Sequence, residues 1–307
     1  MIKLNNYNIL VLGLGNVGLG YDLKSPSTLL THIKSIKVTS KIMKINVKLY
    51  AVEPDASKRA SFEKEYPEDN SYSNYDLIPD TKFDLAIVCC NTQFIIKSYL
   101  EIISKFQVSK IILEKPVAHD YASFEYLGSR KSNNQVLVGF PRRTLPSSHF
   151  LKNLIQNNSQ NSKWKLEMNI YGDMLNIGTH FLDLVYFFFG AFEIRNYEEI
   201  KGLISFDANS ENIDLRVNQK SVFNQEISSI HITGPLDIKY EESGRLITIE
   251  CASLGSKLMV GSSFEIEQMI GFESLDYLNW MAYNTCSNLP TLLETPIAEL
   301  LLKGNFR

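Results

Sequence analysis

The sequence predicts an α/β domain wound about a parallel sheet, followed by an α+β domain on a large, mostly antiparallel sheet. Two observations carry the first part. A short apolar run at residues 7–12 leads directly into a glycine-rich turn, and buried-strand patterns then alternate with helical ones up to about residue 120. A third carries the second part: beyond that point strand-like runs succeed one another with few helices between them. The expected division is therefore 1–120 and 121–307, with the final helix free to pack back on the first domain.

Composition narrows the function classes. The chain has 307 residues, 44% hydrophobic and 21% charged, which is an ordinary soluble globular balance with room for two cores. A net charge of -3 gives no electrostatic reason to expect nucleic acid or an anionic membrane as partner. The 4 cysteines show no Cys-x-x-Cys spacing and two of them, Cys89 and Cys90, are adjacent in an apolar run, so they are expected reduced and the protein cytoplasmic. The N-terminus lacks the basic stretch and long apolar core of a signal peptide. The longest aromatic run, residues 181–192, carries Asp183 and is too short to span a bilayer.

Residues 7–12 (Tyr-Asn-Ile-Leu-Val-Leu) read as a buried strand running into Gly13, Gly15 and Gly18, spaced as Gly-x-Gly-x-x-Gly with Asn16 and Val17 between. A strand before such a loop is the context in which it binds a dinucleotide. The first glycine permits the tight turn, the second lets backbone approach a pyrophosphate, and the third lets the following segment pack on the strand. A turn-rich insertion at 21–28 interrupts the expected helix, which resumes over 29–36. The insertion reads equally as a cofactor rim or as a tolerated surface loop. His32, in the resumed helix, reads as a surface or internally satisfied histidine.

The second strand, 47–52, ends at Glu53. A carboxylate there accepts from ribose hydroxyls and repels a 2′-phosphate, which favours NAD over NADP, although Lys58 and Arg59 stand close by. A polar helix over 56–66, a strand over 83–90 and a helix over 94–106 follow. The strand at 111–114 then delivers Glu114 and Lys115 to its carboxyl end, where Pro116 stops the ladder. In open α/β sheets ligands bind at that end of the strands. A further strand, 135–140, ends at Arg142 and Arg143, which are either anion-binding or surface charges.

In the second half, strands are expected at 165–171, 202–207, 213–217, 227–233, 236–240, 246–251 and 257–260. An apolar helix between the first two runs from Asn176 to a terminating Gly190. At helical spacing Asn176, His180 and Asp183 share one side of it, opposite an apolar stripe. Buried polar groups need partners, so the trio reads as a satisfied hydrogen-bond cluster or as a histidine poised for general-base work. No metal-ligand spacing accompanies His180.

Taken together, these residues resemble the Gfo/Idh/MocA family of nicotinamide-dependent oxidoreductases. The resemblance rests on the glycine loop, the Glu114-Lys115-Pro116 strand end, Gly139-Phe140 with Arg142 and Arg143, and Gly178-x-His180-x-x-Asp183. A late Leu-Pro-Thr-Leu-Leu-Glu at 289–294 adds to it. It implies an N-terminal Rossmann domain, an α+β C-terminal domain used for homo-oligomer contacts, and NAD held by Gly13, Gly15, Asn16, Val17, Gly18, Glu53, Cys90, Asn91, Glu114 and Lys115. It further implies that Lys115 and His180 face each other across the nicotinamide. His180 then takes the hydroxyl proton while Lys115 stabilises the oxygen, and Asn176, Asp183, Arg142 and Arg143 contact a sugar or nucleotide-sugar substrate. No metal is implied.

Three departures stand out. Asn176 occupies a position where many members carry aspartate. Cys90-Asn91-Thr92 and Phe94 replace a Pro-Asn pair and a histidine, and the insertion lies beside the glycine loop. Asn176 and the altered loop keep open a non-catalytic dinucleotide-binding sensor, and within enzymes transient oxidation followed by epimerisation or elimination is a further alternative.

Overall fold

The computed structural model describes residues 6–25, 27–79, 82–129, 134–159, 162–201, 203–220, 227–244, 246–254, 263–295 and 297–303. Two compact units divide the chain, one formed by Met1–Pro141 with Gln268–Leu292, the other by Arg142–Glu267 with Leu293–Arg307.

In the first unit β1 (Asn6–Leu12) is followed by α1 (His32–Met43), β2 (Asn46–Val52), α2 (Ala56–Glu65) and β3 (Asn70–Tyr72). The chain continues through β4 (Lys82–Phe83), β5 (Leu85–Val88), α3 (Thr92–Lys105), β6 (Gln107–Val108), β7 (Lys110–Glu114), α4 (Tyr121–Ser129) and β8 (Gln135–Gly139). Six strands form a parallel sheet in the order β3-β2-β1-β5-β7-β8, while β4 and β6 pair separately. Continuous aliphatic runs make the inner strands of this sheet, because strands covered on both faces have no solvent side to mark with polar residues. Ile9, Val11, Leu49, Ile87 and Ile112 are accordingly inaccessible to solvent. The winding reverses between β1 and β5, whose last residues Leu12 and Val88 stand opposite each other, and the crevice beyond them is the switch point of the sheet.

Two boundaries differ from expectation. The first unit extends to Pro141 rather than to about 120, because β8 pairs with β7 from Gln135 opposite Lys110 to Gly139 opposite Glu114 and completes the sheet. Helix α1 starts at His32 rather than at 29, because the buried carboxylate of Asp22 holds the backbone N–H groups of Leu30 (2.9 Å) and Thr31 (2.8 Å) outside the helix.

The second unit opens with α5 (Pro146–Asn158) and β9 (Trp164–Tyr171). A π-helical turn, Met174–Gly178, then leads into α6 (Thr179–Phe189). Strands β10 (Glu193–Ile200), β11 (Leu203–Asn209), β12 (Ile213–Lys220), β13 (Ile227–Thr233), β14 (Asp237–Ser243) and β15 (Leu246–Cys251) complete a seven-stranded sheet, ordered β10-β11-β12-β9-β13-β14-β15. It is mixed: β12 and β9 run parallel and the other neighbours antiparallel. Burial alternates along β9, β12 and β13, as it does when a sheet is covered on one face. Edge strand β10 was not expected, since Glu-Ile-Arg-Asn-Tyr-Glu-Glu-Ile buries only Ile194 and carries the charges that keep edges from pairing further. The strand expected at 257–260 lies outside the described residues.

Helix α7 (Ser263–Glu267) belongs to this unit. Helix α8 (Met269–Tyr283) then returns to the first unit and packs on α1, and α9 (Ile297–Lys303) lies in the second. The helix that packs back is thus α8 and not the last one. Among the described residues, no helix is long and apolar enough to cross a membrane.

Candidate functional site

A cavity of about 390 Å³ opens over the carboxyl ends of β1, β2 and β5, bounded by Gly13, Gly15, Glu53, Lys58, Cys90 and Asn91. Its floor is made by what the glycines lack. Gly13 has φ +99°, and a Cβ there would stand 2.9 Å from the Cys89 carbonyl oxygen and the Cys90 nitrogen. A Cβ on Gly18 would lie 2.1 Å from the Gly13 carbonyl oxygen, so that position admits glycine alone. At Gly15, by contrast, a Cβ would meet nothing within 4 Å. The backbone there faces open space, as it must where a pyrophosphate approaches. Carbonyls of Val17 and Gly18 accept from His32 N–H (2.9 Å) and Ile33 N–H (3.2 Å), tying the loop to α1, while Asn16 is exposed.

Glu53, buried at the end of β2, accepts from Leu14 N–H through Oε2 (2.8 Å) and from Asp55 N–H through Oε1 (3.1 Å). Of its two basic neighbours, Arg59 is engaged by the Glu53 and Pro54 carbonyls at 2.7 Å each, and Lys58 Nζ stands 3.9 Å from Oε2. Open backbone at Gly15 and a fixed carboxylate at the β2 terminus fit a dinucleotide. Lys115 is half-buried just past β7, before a cis peptide to Pro116. Glu114 turns inward instead of lining the cavity: its Oε1 lies 2.8 Å from His32 Nε2, and its Oε2 accepts from Lys115 N–H at 3.2 Å.

In the second unit the polar trio is split. Asp173 accepts from Asn176 N–H (2.6 Å) and starts the π-helical turn, whose wider spacing leaves Asn176 exposed, while His180 and Asp183 are buried in α6. Asn176 therefore does not share a buried helix face with them. Arg143 holds Asp183 with two parallel bonds, Nε to Oδ2 (2.8 Å) and Nη2 to Oδ1 (2.7 Å), and also donates to the Glu294 carbonyl (3.2 Å). Burial nevertheless outweighs the arginine: it raises the Asp183 carboxyl from 3.8 to about 6. Arg142 is likewise committed, its Nε donating to Glu242 Oε2 (2.8 Å) and its Nη2 to Oε1, with the guanidinium over the Phe181 ring. A small cavity of about 210 Å³ lies beside this pair, against Tyr171, Ile177 and Ser228.

The structure thus brings Gly13, Gly15, Glu53, Cys90 and Asn91 around one cavity and leaves Asn16, Val17, Gly18, Glu114 and Lys115 out of its lining. Arg143 and Asp183 are brought together with each other. Sequence reasoning missed Glu242 and Asp22. Neither carries a local signal, although Asp173 three residues before Asn176 has the spacing of a helix-capping aspartate.

A parallel sheet with a glycine loop at its switch point is a Rossmann-type domain, and here it is joined to an α+β unit on a mixed seven-stranded sheet. Among solved structures the chain is similar to levoglucosan dehydrogenase in complex with NADH and L-sorbose, with a TM-score of 0.76 at 13% identity, covering 98% of this chain and 96% of that one. It is similar also to an oxidoreductase domain protein from Kribbella flavida (TM-score 0.72, 12% identity, 98% and 96% covered). The WlbA dehydrogenase from Chromobacterium violaceum, in complex with NADH and UDP-GlcNAcA, gives 0.70 at 14% identity, with 98% and 93% covered. These likenesses establish the fold. No family model matches the sequence, and no curated protein matches it.

Proposed function

We propose that this chain is a nicotinamide-dependent oxidoreductase of the Gfo/Idh/MocA type, moving hydride between NAD(H) and a secondary alcohol or ketone of a sugar or nucleotide-sugar derivative. The observation that carries the reading is the cavity at the switch point, with open backbone at Gly15 and the buried Glu53 carboxylate at its rim. The loop from Gly13 to Gly18, with Asn16 and Val17, holds the pyrophosphate. Glu53 receives the adenosine ribose, Cys90 and Asn91 border the nicotinamide side, and Lys115 reaches it from the end of β7, with Glu114 acting from behind through the bond its Oε2 accepts from Lys115 N–H. Arg59's commitment to two carbonyls and the carboxylate of Glu53 favour NAD over NADP. The molecules bound in two structures of like fold, L-sorbose and UDP-GlcNAcA, support the carbohydrate class.

When bound, the nicotinamide supplies the hydride acceptor or donor. His180 takes the hydroxyl proton as the carbinol carbon is oxidised and returns it in reduction, and Lys115 stabilises the developing negative charge on that oxygen. Asn176 is exposed and orients the substrate by hydrogen bonds. Arg143 acts by fixing Asp183, and Arg142 by fixing Glu242, beside the substrate. A homo-oligomer in the cytoplasm completes the reading.

A single-turnover experiment tests it: protein loaded with NAD is mixed with a panel of sugars and nucleotide sugars, and nicotinamide reduction is read by absorbance. His180→Ala should lower the rate by about 10²–10⁴-fold. Full activity in that variant would remove His180 from the mechanism. A second reading, a dinucleotide-binding sensor, is favoured by one observation, that Asn176 offers an amide that cannot share a proton. Bound NAD with no reduction by any sugar would support it.

A further inference from the structure

Three residues remote in sequence, His32 on α1, Glu114 at the end of β7 and Glu273 on α8, meet inside the first unit. One donor atom from each lies within 4.8 Å of the others. His32 and Glu273 are 0% exposed and Glu114 8%. His32 Nε2 sits 2.8 Å from Glu114 Oε1. Neither oxygen of Glu273 has a hydrogen-bond partner. Among the described residues the sole ion-pair partner of either carboxylate is His32, so one imidazole faces two acids.

A buried carboxylate without a hydrogen bond or a cation is among the costliest arrangements in a protein interior. A glycine stands where the two carboxylates converge. A Cβ on Gly139, at the end of β8, would lie 3.2 Å from both Glu114 Oε1 and Glu273 Oε1, so both carboxylates turn toward the same narrow space. One neutral imidazole nitrogen and two carboxylates balance a divalent charge. That donor set suits a borderline first-row ion such as Zn²⁺ or Mn²⁺ better than the all-oxygen shells of Ca²⁺ and Mg²⁺. An outer shell is present too. His32 Nδ1 is 3.4 Å from the Tyr277 hydroxyl, which is 2.7 Å from Ser274 Oγ, an arrangement that orients the imidazole.

We propose that His32, Glu114 and Glu273 form a buried binding site for a divalent transition-metal ion, which joins α1, β7 and α8 behind the strand end that carries Lys115. Binding replaces the His32–Glu114 contact with two bonds to the ion, and any proton on Nε2 leaves to solvent. The sequence could not show this site because its ligands have no common spacing. The inference does not depend on the oxidoreductase reading.

The test uses the full chain without substrate. Metal content is measured after purification and dialysis, the protein is then stripped with a chelator, and it is titrated separately with Zn²⁺, Mn²⁺ and Co²⁺ while melting temperature and the Co²⁺ visible spectrum are followed. One ion per chain is expected, with a melting temperature lowered by stripping and restored by the ion. Glu273→Gln and, as a second variant, His32→Gln should each abolish the restoration. The proposal is overturned if no ion raises the melting temperature and Glu273→Gln is as stable as the parent, which would mean that Glu273 is held as a neutral acid. It is equally overturned if the ion binds both variants as well as the parent, since such binding is adventitious.

Discussion

The cavity of the first unit and the turn of the second solve opposite problems. Around Gly13, Gly15 and Gly18 the protein removes side chains so that backbone faces open space, and the one carboxylate there, Glu53, is satisfied by two backbone N–H groups. Around His180 the protein crowds charged side chains into the interior and satisfies them with one another, Arg143 with Asp183 and Arg142 with Glu242. The first region should therefore be sensitive to added volume and the second to lost charge.

The largest effect expected from this contrast is at Arg143. Arg143→Met leaves Asp183 buried and unpaired and should cost about 3–5 kcal/mol in denaturant unfolding. Adding Asp183→Leu should recover most of it, and a failure to recover would show that Arg143 acts through more than the pair. Next comes Gly18→Ala, where the new methyl meets backbone 2.1 Å away; it should destabilise by roughly 1–3 kcal/mol or more and weaken dinucleotide binding, as read by calorimetry. Gly15→Ala sharpens the comparison, because its methyl meets nothing. Melting temperature should hold while NAD affinity falls, and an equal loss of stability in both variants would break the distinction.

The pH dependence of the second region has a definite sign. Asp183 titrates near 6 in the folded chain against 3.8 for an ordinary aspartate, so the unfolded chain gives up this proton first as pH rises. Its contribution to stability is thus fully present below the lower value and declines up to about pH 6, then stays flat. The difference between wild type and Asp183→Asn, followed across that window, should show the decline. Smallest is Glu53→Gln, which keeps the shape and loses the charge: NAD affinity should fall and NADP affinity rise, each by about tenfold, the effect of ~1.4 kcal/mol.

What the sequence disclosed follows the same contrast. The glycine loop, the strands at 7–12 and 111–114 and the segment ending at Gly190 were legible because their causes are local: a period, a run of aliphatics, a glycine after a helix. The ion pairs were not legible. Arg142 finds Glu242 and Arg143 finds Asp183 across long stretches of chain, and nothing near Arg142 distinguishes it from a surface arginine. Asn176 leaves the face shared by His180 and Asp183 because a π-helical turn breaks the uniform helical spacing. Strand β10 leaves no such mark, because charges at a sheet edge erase the alternation typical of strands.

The insertion at 21–28 is fastened more tightly than its composition suggests. Asp22, 7% exposed, gathers the Thr28 hydroxyl (2.5 Å), the Leu30 and Thr31 amides and the Thr31 hydroxyl (2.8 Å). Amide exchange should treat the backbone held by Asp22 as interior. The protons of Leu30 and Thr31, although outside any regular helix or strand, should exchange with deuterium on the timescale of the sheet and not of the loops. A segment that reads as an ornament would then open only when the whole unit does.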